Sequence, residues 1–453
     1  MGLSMDACKS AEVDSQRGRS VDGRSPFSVR TSWDLTPNPL AIRLEEMRGA
    51  GSAIIDLTEP NPTRCGFDYP DERILRAISD PSGLAYDPDP RGLRSAREAV
   101  ARELSRFRRG REVVALEQSR LAQTPEEHGS GAEARSRSVD PASIVLSSGT
   151  SEAYSWLFKL LCEPGDQVLV PAPSYPLLDF LAHLENVELT HYPIRYDGRW
   201  HVDLERIGAL CAPRTRALVI IQPNNPTGSF LSADELAKLT AILCARGVAL
   251  ISDEVFIDYR FDSAAPAIPS GLDEHDRSRE AGLRFVLGGL SKSAGLPQMK
   301  LAWIAVAGPS EKKDAALQRL EMIADTFLSV NTPVQVGLSR LLDAGKSVRE
   351  QILARVRANR RALLGLERSA SCWGCLDAQA GWYAVLRLPR LHSDDEWCLH
   401  LLERERVHAH PGHYYSFPVD GHIVLSLLPR PEEFLEGITR IVSLVEEEAA
   451  RGG

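Results

Sequence analysis

The sequence predicts an α/β protein: a large, mainly parallel sheet flanked by helices, followed by a smaller α+β domain. Three observations predict it. Between about residues 144 and 306, short apolar runs alternate with helix-length stretches, the pattern of a parallel sheet covered by crossover helices. The polar residues that stand out there lie just after the apolar runs, where ligands bind in such sheets. Beyond about residue 330 the pattern changes to one long helix, two strands and a closing helix.

Residues 1–28 are polar, rich in Ser, Arg, Asp and Gly, and lack periodicity, so they read as a disordered tail. A second charged stretch over about 109–139, ending in Gly, Ser and Arg, reads as a surface insertion. The strand candidates are Ile144–Leu146, Gln167–Val170, Ala217–Ile221, Ala249–Ser252, Phe285–Leu287 and Leu301–Val306. The helix candidates between them are Ser151–Leu161, Leu177–Leu184 and Ser232–Ala245. The last part reads as a helix over 330–367, strands Trp382–Leu388 and His422–Leu427, and a helix over 431–449.

Composition narrows the function. The chain has 453 residues, enough for two domains, with 43% hydrophobic and 25% charged residues, an ordinary globular balance. A net charge of -9 argues against a nucleic-acid footprint, which needs a basic face. No apolar run reaches the length of a membrane span, and the first residues lack the apolar core of a signal peptide. Eight scattered cysteines look reduced, and Cys372 and Cys375 read as packing thiols because one C-x-x-C pair cannot fill a zinc site. The expectation is a cytoplasmic protein without a metal.

Four pieces carry chemistry. In Val286–Pro297 an apolar strand runs into small residues and Lys292. A lysine at the end of a buried strand has a use for its amine, since desolvation makes it a nucleophile toward an aldehyde. In Ile144–Ala153 a strand meets a small-residue turn, Gly149-Thr150-Ser151, and then a helix whose free amides suit a phosphate. Gln222–Gly228 fixes the amide of Asn225 in a rigid turn after a strand. Leu250–Phe256 ends a buried strand with Asp253, a carboxylate that needs a partner there. The first three pieces each have a plain alternative when taken alone: a loop lysine, a capped helix, a turn.

Together, N-P-T-G, then D-E-V, then S-K-x-x-G-L-P, in this order and spacing, resemble the class I/II aminotransferases. These are pyridoxal 5′-phosphate (PLP) enzymes of fold type I, and the likeness runs from about residue 35 to 449. It implies a seven-stranded, mainly parallel sheet in a PLP-binding domain over 81–325. Residues 29–80 would form the arm and the first part of a small domain, and 326–449 the rest of it. Lys292 would hold PLP as a Schiff base and shuttle the Cα proton. Asp253 would pair with the pyridine nitrogen. Asn225 would donate to the phenolic oxygen and touch the substrate carboxylate. Tyr175 would stack on the ring, with packing as its alternative. Thr150, Ser151 and Lys300 would meet the phosphate. Tyr86 would reach the phosphate of a neighbouring subunit, with packing as its alternative, and that reach implies a homodimer with shared sites. Glu254 has no implied cofactor role and reads as structural.

The chain departs from that pattern at four places. Phe256 stands where the family has a tyrosine that donates to the phenolic oxygen, so the lysine–cofactor imine should hold its proton to higher pH. Gly289 replaces a phosphate-binding serine. Lys300 replaces an arginine, keeping the charge without the fork. Val424 falls where the family has the arginine that grips the substrate carboxylate, and Arg430 lies beyond that strand. Arg64, near the expected substrate mouth, is a candidate carboxylate partner, with a solvated loop arginine as its alternative. Trp382 and His413-Tyr-Tyr are further mouth candidates, Trp382 with core packing as its alternative.

The expected reaction is transfer of an amino group between an amino acid and a 2-oxo acid, in ping-pong fashion through Lys292. The alternative is a PLP-dependent lyase or synthase on the same fold. A non-catalytic effector module of a transcription regulator would carry a helix-turn-helix domain first, and here only some 30 polar residues precede the fold.

Overall fold

The computed structural model describes residues 26–106, 138–262, 268–273, 282–367 and 371–452. The expected tail over 1–28 and insertion over 109–139 lie almost wholly outside the described residues.

Three helices come first: α1 (Pro39–Gly49), α2 (Asp71–Ile78) and α3 (94–106), with a two-residue strand β1 (Ile55–Asp56) after α1. Asn38 starts α1 by accepting the amide of Ala41, and Pro39 takes the first helical position, where its missing N–H costs nothing.

The large sheet and its helices follow in alternation. They are β2 (Ile144–Ser147), α4 (Thr150–Leu161), β3 (Gln167–Ala172), α5 (Leu177–Leu184), β4 (Glu188–Tyr196), β5 (Trp200–Val202), α6 (Leu204–Leu210), β6 (Thr215–Ile221), α7 (Ala233–Cys244), β7 (Ala249–Asp253), β8 (Arg284–Gly289), α8 (Leu290–Ser293) and β9 (Ala302–Ala307). The spatial order is β2-β9-β8-β7-β6-β3-β4-β5. Strands β4, β3, β6, β7 and β8 pair in parallel. Strand β9 runs against both β8 and β2, so β2 points with the majority. The three-residue β5 lies antiparallel on the edge of β4. The expected seven-stranded, mainly parallel sheet is present, with one short strand added at its edge.

Burial explains why these runs form strands. Along β6, Ala217, Val219 and Ile221 pack with Leu157 of α4 and with Leu320, while Leu218 and Ile220 pack with Leu236, Leu239 and Leu243 of α7. Alternate side chains therefore bury on opposite faces of a sheet covered twice. Ser232 and Glu235 close a capping box at the start of α7.

The chain continues with α9 (Ser310–Phe327), α10 (Thr332–Leu366), β10 (Gly374–Cys375), β11 (Tyr383–Arg387), α11 (Asp394–His400), β12 (Val407–His408), β13 (His410–Pro411), β14 (His422–Ser426) and α12 (Pro431–Gly452). A small antiparallel sheet has the order β10-β11-β14-β13, and β12 pairs in parallel with β1. Helix α10 has 35 residues, about 50 Å at roughly 1.5 Å per residue. Its first half, with Val334, Leu338 and Leu341, shares a core with Leu146, Val286 and Trp303 of the large sheet. Its second half, with Val348, Ile352 and Val356, shares a core with the small sheet.

Among the described residues no helix is long and apolar enough to cross a membrane. Cys372 and Cys375 are free thiols, and burial pushes Cys375 up to about 12.

Candidate active site

Parallel strands β6, β7 and β8 end side by side, with Ile221 beside Asp253 and Asp253 beside Leu287. Each strand delivers one polar residue at or beyond its carboxyl end. Asp253 closes β7, Asn225 follows β6 by four residues, and Lys292 sits in α8, the single helical turn after β8.

Asp253 is buried. Its Oδ1 accepts the amide of Val255 at 3.1 Å and its Oδ2 accepts the hydroxyl of Tyr154 at 3.0 Å. Burial pushes the carboxyl up to about 6, against both hydrogen bonds and the nearby Lys292. Tyr154 escaped the sequence reading. It lies one turn beyond Thr150 on α4, so both side chains share a helix face, and that i, i+4 spacing was the available signal.

The Lys292 Nζ lies 4.4 Å from the ring centre of Trp382 and 5.4 Å from that of Phe256. Burial pushes its amine down to about 8, while Asp253 pulls it back up. Phe256 and Trp382 meet edge to face at 5.3 Å, so the wall beside the amine is apolar and offers no hydroxyl where a tyrosine was expected. Trp382 is fully buried, yet its ring faces the amine, so its core position and its place in the site are the same position.

Chain segment 379–381 brings Trp382 here. Gln379 and Ala380 donate their amides to the carbonyl of Gly228 at 3.1 and 3.0 Å, and Gly381 donates to that of Tyr259 at 2.9 Å. Gly228 has φ +66°, and any Cβ would collide with the Ala380 carbonyl, so the glycine of N-P-T-G is demanded by this crossing. Asn224 holds the same turn by donating to Pro173 at 3.0 Å and to Thr227 at 2.9 Å.

The residues fit the cofactor that the resemblance implies. The amide oxygen of Asn225 is buried without a partner among the described residues, a cost that a ligand carrying a hydrogen-bond donor removes. Among the described residues Lys292 has no carboxylate within salt-bridge distance, and α4 starts at Gly149 with no side-chain cap on its amides. Thr150 and Ser151, in the first turn of α4, are partly exposed. Tyr175, three residues past β3, is partly buried, which pushes its phenol up. Lys300 is exposed at φ +50° just before β9. Tyr86 is 76% exposed on the loop after Pro81–Leu84.

Two sequence departures acquire physical reasons. Gly289 faces Ala302 across the β8–β9 pair, and a Cβ at 289 would lie 3.0 Å from the Ala302 methyl and 3.2 Å from the Leu301 carbonyl. The methyl of Ala302 occupies the room a serine would use. Val424 is fully buried in β14 between Val385 and His410, within the small-sheet core. Arg430 is exposed beyond that strand and lies over Gly66. Arg64 ends the short Pro62–Arg64 turn with its side chain 74% exposed, 3.9 Å from Glu59. Glu254 turns away from the amine: it accepts Ser252 at 2.8 Å, Ser270 at 2.7 Å and the amide of Gly271 at 2.7 Å.

This fold and this arrangement define an enzyme class. Residues 78–440 match the family described as aminotransferase class I and II, and the chain belongs to that family and is an aminotransferase. Among its relatives, glutamate–pyruvate aminotransferase AlaA of Escherichia coli K12 is 28% identical over 405 residues, covering 87% of this chain and 90% of its own. Alanine aminotransferase of Mycobacterium tuberculosis H37Rv is 26% identical over 417 residues, covering 88% and 87%. The fold is that of alanine aminotransferase from Pyrococcus furiosus, at a TM-score of 0.75, 21% identity and coverage of 90% and 96%. Aspartate aminotransferase from Thermotoga maritima superposes at 0.73, with 20% identity and coverage of 93% and 100%.

The packing of residues 289 and 302 makes a stability prediction. Gly289→Ser should destabilise the protein by about 1–3 kcal/mol through overpacking, and adding Ala302→Gly should recover at least half of that loss. Urea unfolding of the two single variants and the double variant measures the coupling. Strictly additive effects would show that the two positions do not compete for space.

Proposed function

We propose that this aminotransferase holds PLP at Lys292 and moves an amino group between an amino acid and a 2-oxo acid in two half-reactions. The observation that carries the reading is the amine of Lys292 set against an apolar wall, beside a buried Asp253, with the unpartnered amide oxygen of Asn225 on the neighbouring strand end.

When bound, PLP supplies an aldehyde for an amine and a ring that accepts electrons. Lys292 is the amine that attaches it. Once a substrate amine takes its place, Lys292 Nζ stands free to remove the proton from the substrate Cα and deliver it again, the base and then the acid of each half-reaction. Asp253 would supply a negative charge to the ring nitrogen, and Tyr154 fixes which way that carboxylate faces. With its carboxyl near 6, Asp253 is ionised at neutral pH. Asn225 would donate its amide N–H to the ring oxygen and the substrate carboxylate. Tyr175 would stack on the ring. Thr150, Ser151, Lys300 and the amides of α4 hold the phosphate.

Val424 supplies no charge, so Arg64 and Asn225 meet the substrate carboxylate, with Trp382 shaping the pocket beside it. The relatives named for alanine, glutamate and pyruvate make small amino acids and their oxo acids the first donors and acceptors to try. Exposed Tyr86 suits a place in the site of a second copy, so the active unit is a homodimer. The free cysteines suit the reducing cytoplasm.

Two outcomes are expected. Attachment of PLP to the cofactor-free protein should be slow below pH 8, where Lys292 is protonated, and level off above it, rather than rise to the ordinary lysine value of 10.5. Stopped-flow absorbance measures this, and Lys292→Ala should abolish the lysine-bound band; a midpoint near 10.5, or a band that survives in Lys292→Ala, would remove Lys292 from the role. Arg64→Met should raise KM for the amino donor by about tenfold or more while leaving kcat nearly unchanged, as expected on losing a charged contact. An unchanged KM would assign the carboxylate to another group.

A further inference from the structure

Helix α8 is a single turn: the carbonyl of Leu290 accepts the amides of Ala294 and Leu296, and the carbonyls of Lys292 and Ser293 draw partners from other parts of the fold. The carbonyl of Lys292 itself accepts the hydroxyl of Tyr259 at 2.5 Å and the amide of Gly295 at 3.3 Å. The carbonyl of Ser293 accepts Nη1 of Arg349 at 3.3 Å. Tyr69 donates to the carbonyl of Gly295 at 2.7 Å.

The turn also has a fitted seat. Gly345, Val348, Arg349 and Ile352 lie on one face of α10, at i, i+3, i+4 and i+7. Gly345 packs so closely on Ala294 that no Cβ fits, and a Cβ on Gly295 would lie 2.7 Å from Val348 and 3.2 Å from Ile352. Arg349 is the polar member of this face. Its Nη1 lies 3.1 Å from Glu103 and 3.4 Å from Asp258, and all three side chains are about nine-tenths buried.

Asp258 and Tyr259 are neighbours in the turn that follows Asp253. The same short segment thus reaches Arg349 with one residue and the lysine carbonyl with the next. We propose that Tyr259 and Arg349 are positioning residues that fix Lys292 relative to Asp253 by clamping the carbonyls of residues 292 and 293 to the segment that leaves β7. Neither residue touches the reacting atoms. The proposal rests on Lys292 as the cofactor lysine for its consequence in catalysis, but the clamp itself exists without cofactor.

Tyr259→Phe removes one hydroxyl at constant shape; Arg349→Met removes the guanidinium, and Arg349→Lys keeps the charge. Amide hydrogen exchange of the cofactor-free full chain reads the clamp directly. Amides over 290–296 should exchange about tenfold faster in Tyr259→Phe and Arg349→Met, with β6 unchanged and Arg349→Lys intermediate. In the PLP-loaded protein the pH midpoint of the lysine-bound absorption band should shift, and kcat should fall about tenfold with KM for the amino donor within twofold. Unchanged exchange over 290–296 in Tyr259→Phe overturns the proposal. So does a uniform loss of protection across the large sheet, the mark of a general structural role. If the exchange changes as expected while wild-type protein forms no lysine-bound band, the clamp stands and the cofactor reading fails.

Discussion

Lys292 and Asp253 are placed where water is scarce, and both resist it. Burial moves the lysine from 10.5 to about 8, a penalty of about 3 kcal/mol on the charged amine relative to water. The same burial raises the carboxyl from 3.8 to about 6. Their attraction offsets part of both penalties, so each group helps keep the other in an otherwise unfavourable place. The neutral amine is a nucleophile, and the carboxylate remains charged at neutral pH.

Position comes from the fold. Parallel pairing brings the ends of β6, β7 and β8 together, and a strand buried on both faces cannot slip without exposing apolar side chains. The small sheet contributes through one segment. The backbone over 379–381 crosses Gly228 and Tyr259 and delivers Trp382 against the amine. Helix α10 joins the two cores and presents one face to α8. The apolar wall, the lysine turn and the buried carboxylate are therefore parts of one packed unit.

Much of this was legible in the sequence, for a physical reason. Fully buried parallel strands read as apolar runs, so β2, β3, β6, β7, β8 and β9 were all placed within one or two residues at most ends. The residues after them were readable because polar groups at buried strand ends are unusual. Strands β4 and β5 were missed: β4 is half-exposed, with Glu188, His191 and Arg195 breaking any apolar run. Helices α6 and α9 also went unseen, and α9 is weakly apolar with only Ala316, Leu317, Leu320 and Ala324 buried. Long-range contacts were the real gap. Nothing local in the sequence ties Tyr154 to Asp253, Arg349 to Ser293 or Ala302 to Gly289, because each pair meets only after the sheet or α10 has packed.

The central claim is that this site transfers an amino group through Lys292. The most direct test loads the protein with PLP and titrates it with single amino acids in the absence of any oxo acid. The account predicts that at least one amino acid bleaches the lysine-bound absorption band and releases one equivalent of its own 2-oxo acid. A band that persists across the panel, or ammonia with an eliminated product in place of the oxo acid, would contradict it.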